Sequence, residues 1–265
     1  MSKLSLHFFG CGTAGYAVAR ALAEASEPPQ SITFIDKAVI RENNAITCQL
    51  YAGRTGEPKA DRLAGLMRQW LPGTGVRSIV DCVENAAWWE ILQEDAADPD
   101  AMPLAVIGLD DWDSRLTVIE DLRQLATILP RSPRIPAVQV ALERDQAQVC
   151  VFGSDWADPC PACGLLSLPA PQPCVLFDGS GQLVRGNLRR EADAAAGLAV
   201  RIVSHLVKRV GQNANRWLNT KTNLIATPGG LEFRTATRST TRMAGCIGPH
   251  VAHCSRWQDI WCRSS

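Results

Sequence analysis

Ser5-Leu6-His7-Phe8-Phe9-Gly10-Cys11-Gly12-Thr13-Ala14-Gly15 decides the fold. The apolar run Ser5–Phe9 reads as a buried strand, and the glycine-rich run that follows reads as the turn into a helix over roughly residues 14–25. Gly10 allows a tight turn, Gly12 removes a Cβ where backbone would approach an anion, and Gly15 lets helix and strand pack closely. Free N–H groups and the positive dipole end of the helix face whatever lies there. Ile32-Thr33-Phe34-Ile35 then reads as a second strand. Asp36 ends it, roughly 20 residues beyond the glycines, where a carboxylate accepts bonds from ribose hydroxyls. Strand, loop, helix and acid together point to a nucleotide-binding unit.

Gly56-Glu57-Pro58-Lys59 opens a helix over residues 57–70, with Leu63, Leu66, Met67 and Trp70 on one face. Residues 76–83 read as a strand and residues 86–93 as a short helix whose Trp88-Trp89 belongs to core or interface. Residues 94–100 read as an exposed acidic loop. Pro103–Leu109 is continuously apolar, as a central parallel strand buried on both faces should be. It ends on Asp110-Asp111, and a helix from Ser114 to about residue 129 follows, with Ser114 as its N-cap. Two strands, residues 136–142 and 146–152, a helix over 191–210 and a hairpin around Pro228-Gly229-Gly230 follow. The expected fold is α/β: a doubly wound, Rossmann-like, mostly parallel sheet with helices on both faces. Gly10–Gly15, Asp36 and Asp110 all fall at strand C-termini and so share one crevice.

The chain has 265 residues, with 27 basic and 27 acidic side chains. That balance gives no electrostatic case for nucleic acid or an anionic membrane as main partner. No apolar run reaches about 18 residues and no leader is read at Met1, so the expected location is the cytoplasm.

Ten cysteines in such a chain suggest metal ligation or thiol chemistry. Cys160-Pro161-Ala162-Cys163-Gly164 has the spacing of a zinc knuckle. Cys246 is the best third ligand, and the fourth lies among Cys254, His250 and His253. Such a site would staple the C-terminal region to the loop after the sheet; reduced, packed thiols are the alternative. Cys174 stands alone in a Pro-rich loop, either a nucleophile or an ordinary thiol. Cys11, Cys48, Cys82 and Cys150 fall in or near core elements and read as buried and inert.

Gly10–Gly15, Asp36, Asn44, Gly56-Glu57-Pro58-Lys59, Asp110 with Arg115, and the CxxC with its later cysteines together resemble the ThiF/MoeB/HesA family, the bacterial relatives of ubiquitin-activating (E1) enzymes. The resemblance implies one E1-like domain: residues 1–155 as adenylation core, and 156–265 continuing it with zinc knuckle, cysteine-bearing loop, helix and hairpin. It implies ATP, Mg²⁺ and structural Zn²⁺. It implies a ubiquitin-like or sulfur-carrier protein as substrate, an E2-like protein as further partner, and a homodimer. Gly10, Gly12, Thr13, Ala14, Gly15 and Asn44 would hold the nucleotide and Asp36 its ribose. Lys59 would offset phosphoryl charge and Asp110 would ligate Mg²⁺. Cys174 would be the catalytic thiol and Cys160, Cys163, Cys246 and Cys254 the zinc ligands. The family's arginine-glutamine pair departs here: Thr47 or Cys48 occupies the arginine position and Gln49 the other, and either Arg41 or Arg54 offsets the loss or adenylation is weakened or absent. A catalytically weak scaffold or partner subunit is the second reading, and an NAD-dependent oxidoreductase the third.

Overall fold

The computed structural model describes residues 3–25, 27–85, 87–98, 100–128, 135–143, 146–152, 188–208, 220–227 and 230–237. Eight strands form one sheet: β1 Lys3–Phe9, β2 Ser31–Ile35, β3 Gly75–Ile79, β4 Ala101–Ile107, β5 Ala137–Glu143, β6 Gln146–Phe152, β7 Thr220–Thr227 and β8 Gly230–Thr237. Their order is β3-β2-β1-β4-β5-β6-β7-β8. The first five run parallel. The pairs β5–β6, β6–β7 and β7–β8 are antiparallel, so the parallel half contains the β1–glycine loop–α1–β2 unit and a three-strand meander extends it.

The helices are α1 Thr13–Ala23, α2 Asn44–Thr47, α3 Lys59–Trp70, α4 Ala87–Ala97, α5 Trp112–Ile128 and α6 Leu188–Lys208. Side-chain alternation along β1 sorts them into two layers. Leu6 and Phe8 join the core made with α1, α3 and α6. Phe9 joins a second core with Trp88 and Leu92 of α4 and Val118 and Leu122 of α5. Both faces of β4 are thereby covered, which explains its unbroken apolar run.

Two expectations need correction. Residues 94–97 are the last turn of α4, not loop. Trp88, Leu92 and Ala96 recur every four residues and are all buried, so the apolar face outlasts the acidic stretch that disguised it. Within that stretch Asp95 pairs with the buried His7 at 3.0 Å and accepts a hydrogen bond from Ser5. Second, α5 begins at Trp112, and the cap is Asp111, not Ser114. The Asp111 carboxylate accepts the Ser114 N–H at 2.7 Å, the bond an N-cap makes to the third helical residue. The sequence reading also had no element between Asn44 and Tyr51; a short helix and a 3₁₀ turn, Gln49–Tyr51, lie there.

The expected hairpin is present as the antiparallel pair β7–β8. Trp88 is core: its ring meets Phe9 edge-on at 4.8 Å and its indole N–H donates to the Val83 carbonyl at 2.8 Å. Among the described residues no helix is long and apolar enough to cross a membrane.

Candidate functional site

β1 leads into the glycine loop at the point where strand order reverses, between β2 and β4, where open sheets of this kind leave a crevice. Gly10 has φ +95°, and a Cβ there would strike the Gly108 main chain at 2.9 Å. A Cβ on Gly15 would lie 2.1 Å from the Gly10 carbonyl oxygen. A Cβ on Gly108 would meet the Gly15 nitrogen at 3.1 Å. These three glycines let β1, α1 and β4 converge. Gly12 differs: a Cβ on it would meet nothing within 4 Å, because it faces open space.

That space is a cleft of about 250 Å³, near the lower end of ligand pockets at roughly 300–1,000 Å³. Gly10, Gly12, Thr13 and Ala14 form its floor, and Asp36, Asn44, Lys59 and Asp110 stand around it. Gly15 does not line it; it is packed behind the loop, where Gly10 and Gly108 meet it.

Asp36 does something the sequence did not announce. One carboxylate oxygen accepts the Cys11 N–H and the other the Ala38 N–H, each at 2.7 Å. The acid therefore shapes the loop as well as lining the cleft. Lys59 reaches the cleft because the chain after Asp36 is sewn to the GEPK turn. Ile40 N–H donates to Glu57 O, Gly56 N–H to Ile40 O, and Lys59 N–H to Ala38 O, at 2.8–2.9 Å. Gly56 has φ +90°, so only glycine adopts this turn without strain. Pro58 then starts α3 in extended geometry, with Lys59 in its first turn.

The far wall comes from the ends of β3 and β4. Arg115, buried, donates to the Leu109 carbonyl at 2.6 Å. The Ser114 hydroxyl donates to Glu84 at 2.8 Å, and Asp81 accepts bonds from Cys82 and Asn85. Asp81, Glu84 and Lys37 line the cleft and were missed in the sequence. A signal existed: Lys37 directly follows Asp36, and Asp81 and Glu84 follow β3 as Asp110 follows β4. Conversely, neither of the two arginines that could offset the missing one, Arg41 and Arg54, lines the cleft. Arg54 pairs with Glu57 at 3.2 Å on the surface.

Cys11, Cys48 and Cys150 are buried, as expected, whereas Cys82, expected to be buried too, is only half-buried. Burial, with the Asp36 carboxylate nearby, pushes the Cys11 thiol well up, so it stays protonated and unreactive. Cys160, Cys163, Cys174, Cys246, Cys254, His250 and His253 lie outside the described residues. Among the described residues no three His, Cys, Asp or Glu side chains form a group able to hold a metal.

No protein-family model matches this sequence, and no curated protein matches it. Solved structures do share the fold. PaaA superposes with a TM-score of 0.58 at 15% identity, over 88% of this chain and 63% of PaaA. E. coli MccB gives 0.60 at 16%, over 89% and 63%. The Microcin C7 biosynthetic enzyme MccB in complex with N-formylated MccA gives 0.60 at 16%, over 92% and 67%. E. coli MccB has also been crystallised with ATP. At this identity the likeness establishes the fold, and the chain spans about 63% of the length of PaaA and of E. coli MccB.

Proposed function

We propose that the chain is an E1-like adenylating protein: it binds ATP and transfers AMP to the C-terminal carboxylate of a small ubiquitin-like or sulfur-carrier protein or peptide. The observation that carries this reading is the convergence of Lys59, from the start of α3, and Asp110, from the end of β4, on the cleft above the glycine loop. Hydride transfer itself gives neither group an evident role. Complexes of MccB with ATP and with MccA lend the reading support from the same fold.

In the reaction a carboxylate oxygen attacks the α-phosphorus. A carbonyl–oxygen–phosphorus bond forms, the α–β bridging bond breaks, and pyrophosphate leaves with the electron pair. The N–H groups opening α1 would meet the phosphates and Asp36 the ribose. Lys59 would balance charge growing on the phosphoryl oxygens. Asp110, exposed on the rim, would hold Mg²⁺, which supplies charge neutralisation to the phosphates. Mg²⁺ bound to a nucleotide needs only one or two protein carboxylates, so a cleft without a three-ligand cluster fits it. Cys174 is the candidate thiol to take the acyl group with AMP as leaving group. A zinc staple through Cys160, Cys163, Cys246 and Cys254 and a homodimer complete the proposal; metal analysis and light scattering test them.

A second reading, an E1-like scaffold that binds without catalysing, draws on the absence of Arg41 and Arg54 from the cleft lining. Pyrophosphate exchange into ATP separates the two. Exchange that depends on a Gly-ending carrier and is lost in Lys59→Ala and Asp110→Ala supports adenylation. Carrier or ATP binding without exchange supports the scaffold. Preference for NAD over ATP sinks both.

A further inference from the structure

Within the glycine loop, both main-chain groups of Cys11 are taken up by side chains from other parts of the chain. Its N–H donates to Asp36, just past β2, at 2.7 Å. Its carbonyl accepts the Tyr51 hydroxyl, also at 2.7 Å. Cys11 is buried, so its carbonyl needs a partner inside the protein; a buried phenol 40 residues along the chain supplies it. Tyr51 is 1% exposed, and its ring leans on Tyr16 at 5.9 Å. Burial pushes the phenol pKa far up, so the hydroxyl remains a donor at any working pH.

We propose that Tyr51 is a positioning residue for the phosphate loop: its hydroxyl, acting with the Asp36 carboxylate, clamps Cys11 and thereby aims the Gly12 N–H away from the core and at the cleft. The geometry follows from peptide planarity. In a trans peptide the carbonyl of Cys11 and the N–H of Gly12 point in opposite directions. Tyr51 holds that carbonyl inward, so the Gly12 N–H points outward, and Gly12 lines the cleft. The donor is oriented before any ligand arrives, which spares the reorganisation that weakens flexible anion sites. The Gln49–Tyr51 turn thus acts on the nucleotide through Cys11 without touching it. This inference deepens the ATP reading and rests on it for the identity of the anion.

Tyr51→Phe keeps the ring and removes only the hydroxyl. The affinities of ATP and of adenosine are measured by calorimetry, alongside amide hydrogen exchange over residues 10–15 in the free protein. The clamp predicts an ATP affinity about tenfold weaker, the scale of a buried acceptor losing its donor. Adenosine, which has no phosphate, changes less than about twofold, and loop exchange accelerates about tenfold. Leu22→Ala, a core truncation elsewhere on α1, lowers the melting temperature without altering the ATP-to-adenosine ratio. Equal losses for both ligands, or unchanged loop exchange, overturn the proposal. If the unmutated protein binds neither ligand, the nucleotide reading fails separately, and the exchange rates alone decide the clamp.

Discussion

Gly12→Ala separates a ligand site from a structural turn. Three effects meet at this position. Gly12 has φ −71° and ψ −163°, a conformation any residue adopts, and its Cβ would meet no atom within 4 Å. Replacing glycine where alanine fits removes unfolded-state entropy and stabilises by roughly 0.4–1 kcal/mol. Gly12 is also the N-cap of α1, a position where alanine is poorer than glycine by roughly 0.5–1 kcal/mol. The two nearly cancel, so the melting temperature of the empty protein should stay within about 2–4 °C, the shift that 1 kcal/mol produces in a chain of this size class. The methyl then occupies space a phosphate would fill, and overpacking costs roughly 1–3 kcal/mol. ATP affinity should fall by about 5- to 150-fold. The assay is thermal unfolding with and without Mg²⁺-ATP, backed by calorimetric titration. An empty variant that melts far lower, or one that keeps the full ATP-induced shift, refutes the reasoning. Gly15→Ala is the contrast: its methyl would lie 2.1 Å from the Gly10 oxygen, so that variant should lose more than about 3 kcal/mol with no ligand present.

Lys59→Ala leaves the first turn of α3 with a good helix former and should keep the empty melting temperature while cutting carrier-dependent pyrophosphate exchange about 10²- to 10³-fold; unchanged exchange excludes the phosphate role. Burial works to raise the Asp95 carboxyl, but hydrogen bonds from His7 and Ser5 outweigh it and hold it below its ordinary value. A depressed folded-state value adds stability above about pH 4 that fades as pH falls further. Asp95→Ala should therefore cost roughly 1–3 kcal/mol at pH 7, and less at pH 3, in urea titrations; a pH-independent loss contradicts the pairing. Asp121 goes the other way: burial, then Glu120 and Glu84, push it up to about 6. Its charge destabilises the fold as pH rises through that value, so Asp121→Asn should gain about 1 kcal/mol at pH 8, after allowance for solvent screening, and little at pH 4.5. Equal gains at both values would show that its neighbours do not matter.

Legibility in the sequence followed the range of the interactions. The β1–loop–α1–β2 unit could be read because its determinants are local: an apolar strand, glycines at set offsets, an acid at a strand end. Lys59 and Asp110 were found by type and order along the chain. What stayed hidden depended on contacts far apart in sequence. Asp95 looked like a solvated loop acid until His7, on the facing side of β1, gave it a partner. Asp36 looked like a ribose ligand alone until its bond to Cys11 appeared. Arg54, a spare cation for the phosphates by its type, is an exception to that range: its partner Glu57 lies only three residues on and pairs with it at the surface. Tyr51 carried no pattern at all.

If the cleft takes ATP as proposed, the charge around it bears on which state of the nucleotide would enter. Asp36, Asp81, Glu84, Asp110 and Asp111 outnumber Lys37, Lys59 and Arg115 among its lining residues. A bare triphosphate would be repelled by that surplus at the low effective dielectric of a cleft. Some of the acids are occupied locally: Asp36 by two N–H groups, Asp111 by Ser114, Glu84 by the Ser114 hydroxyl. Asp110 stands exposed on the rim at the end of β4, the position from which a carboxylate can share a divalent cation with phosphate oxygens. ATP should therefore bind here as its Mg²⁺ complex, and affinity should depend steeply on Mg²⁺ in the unmutated protein. In Asp110→Asn that dependence should flatten while Mg²⁺-free binding rises slightly, because one repelling charge is gone. A calorimetric titration of ATP across Mg²⁺ concentrations reads both effects. Weaker Mg²⁺-free binding in Asp110→Asn would show that the carboxylate does not face the phosphates, and would move the metal to another acid of the cleft.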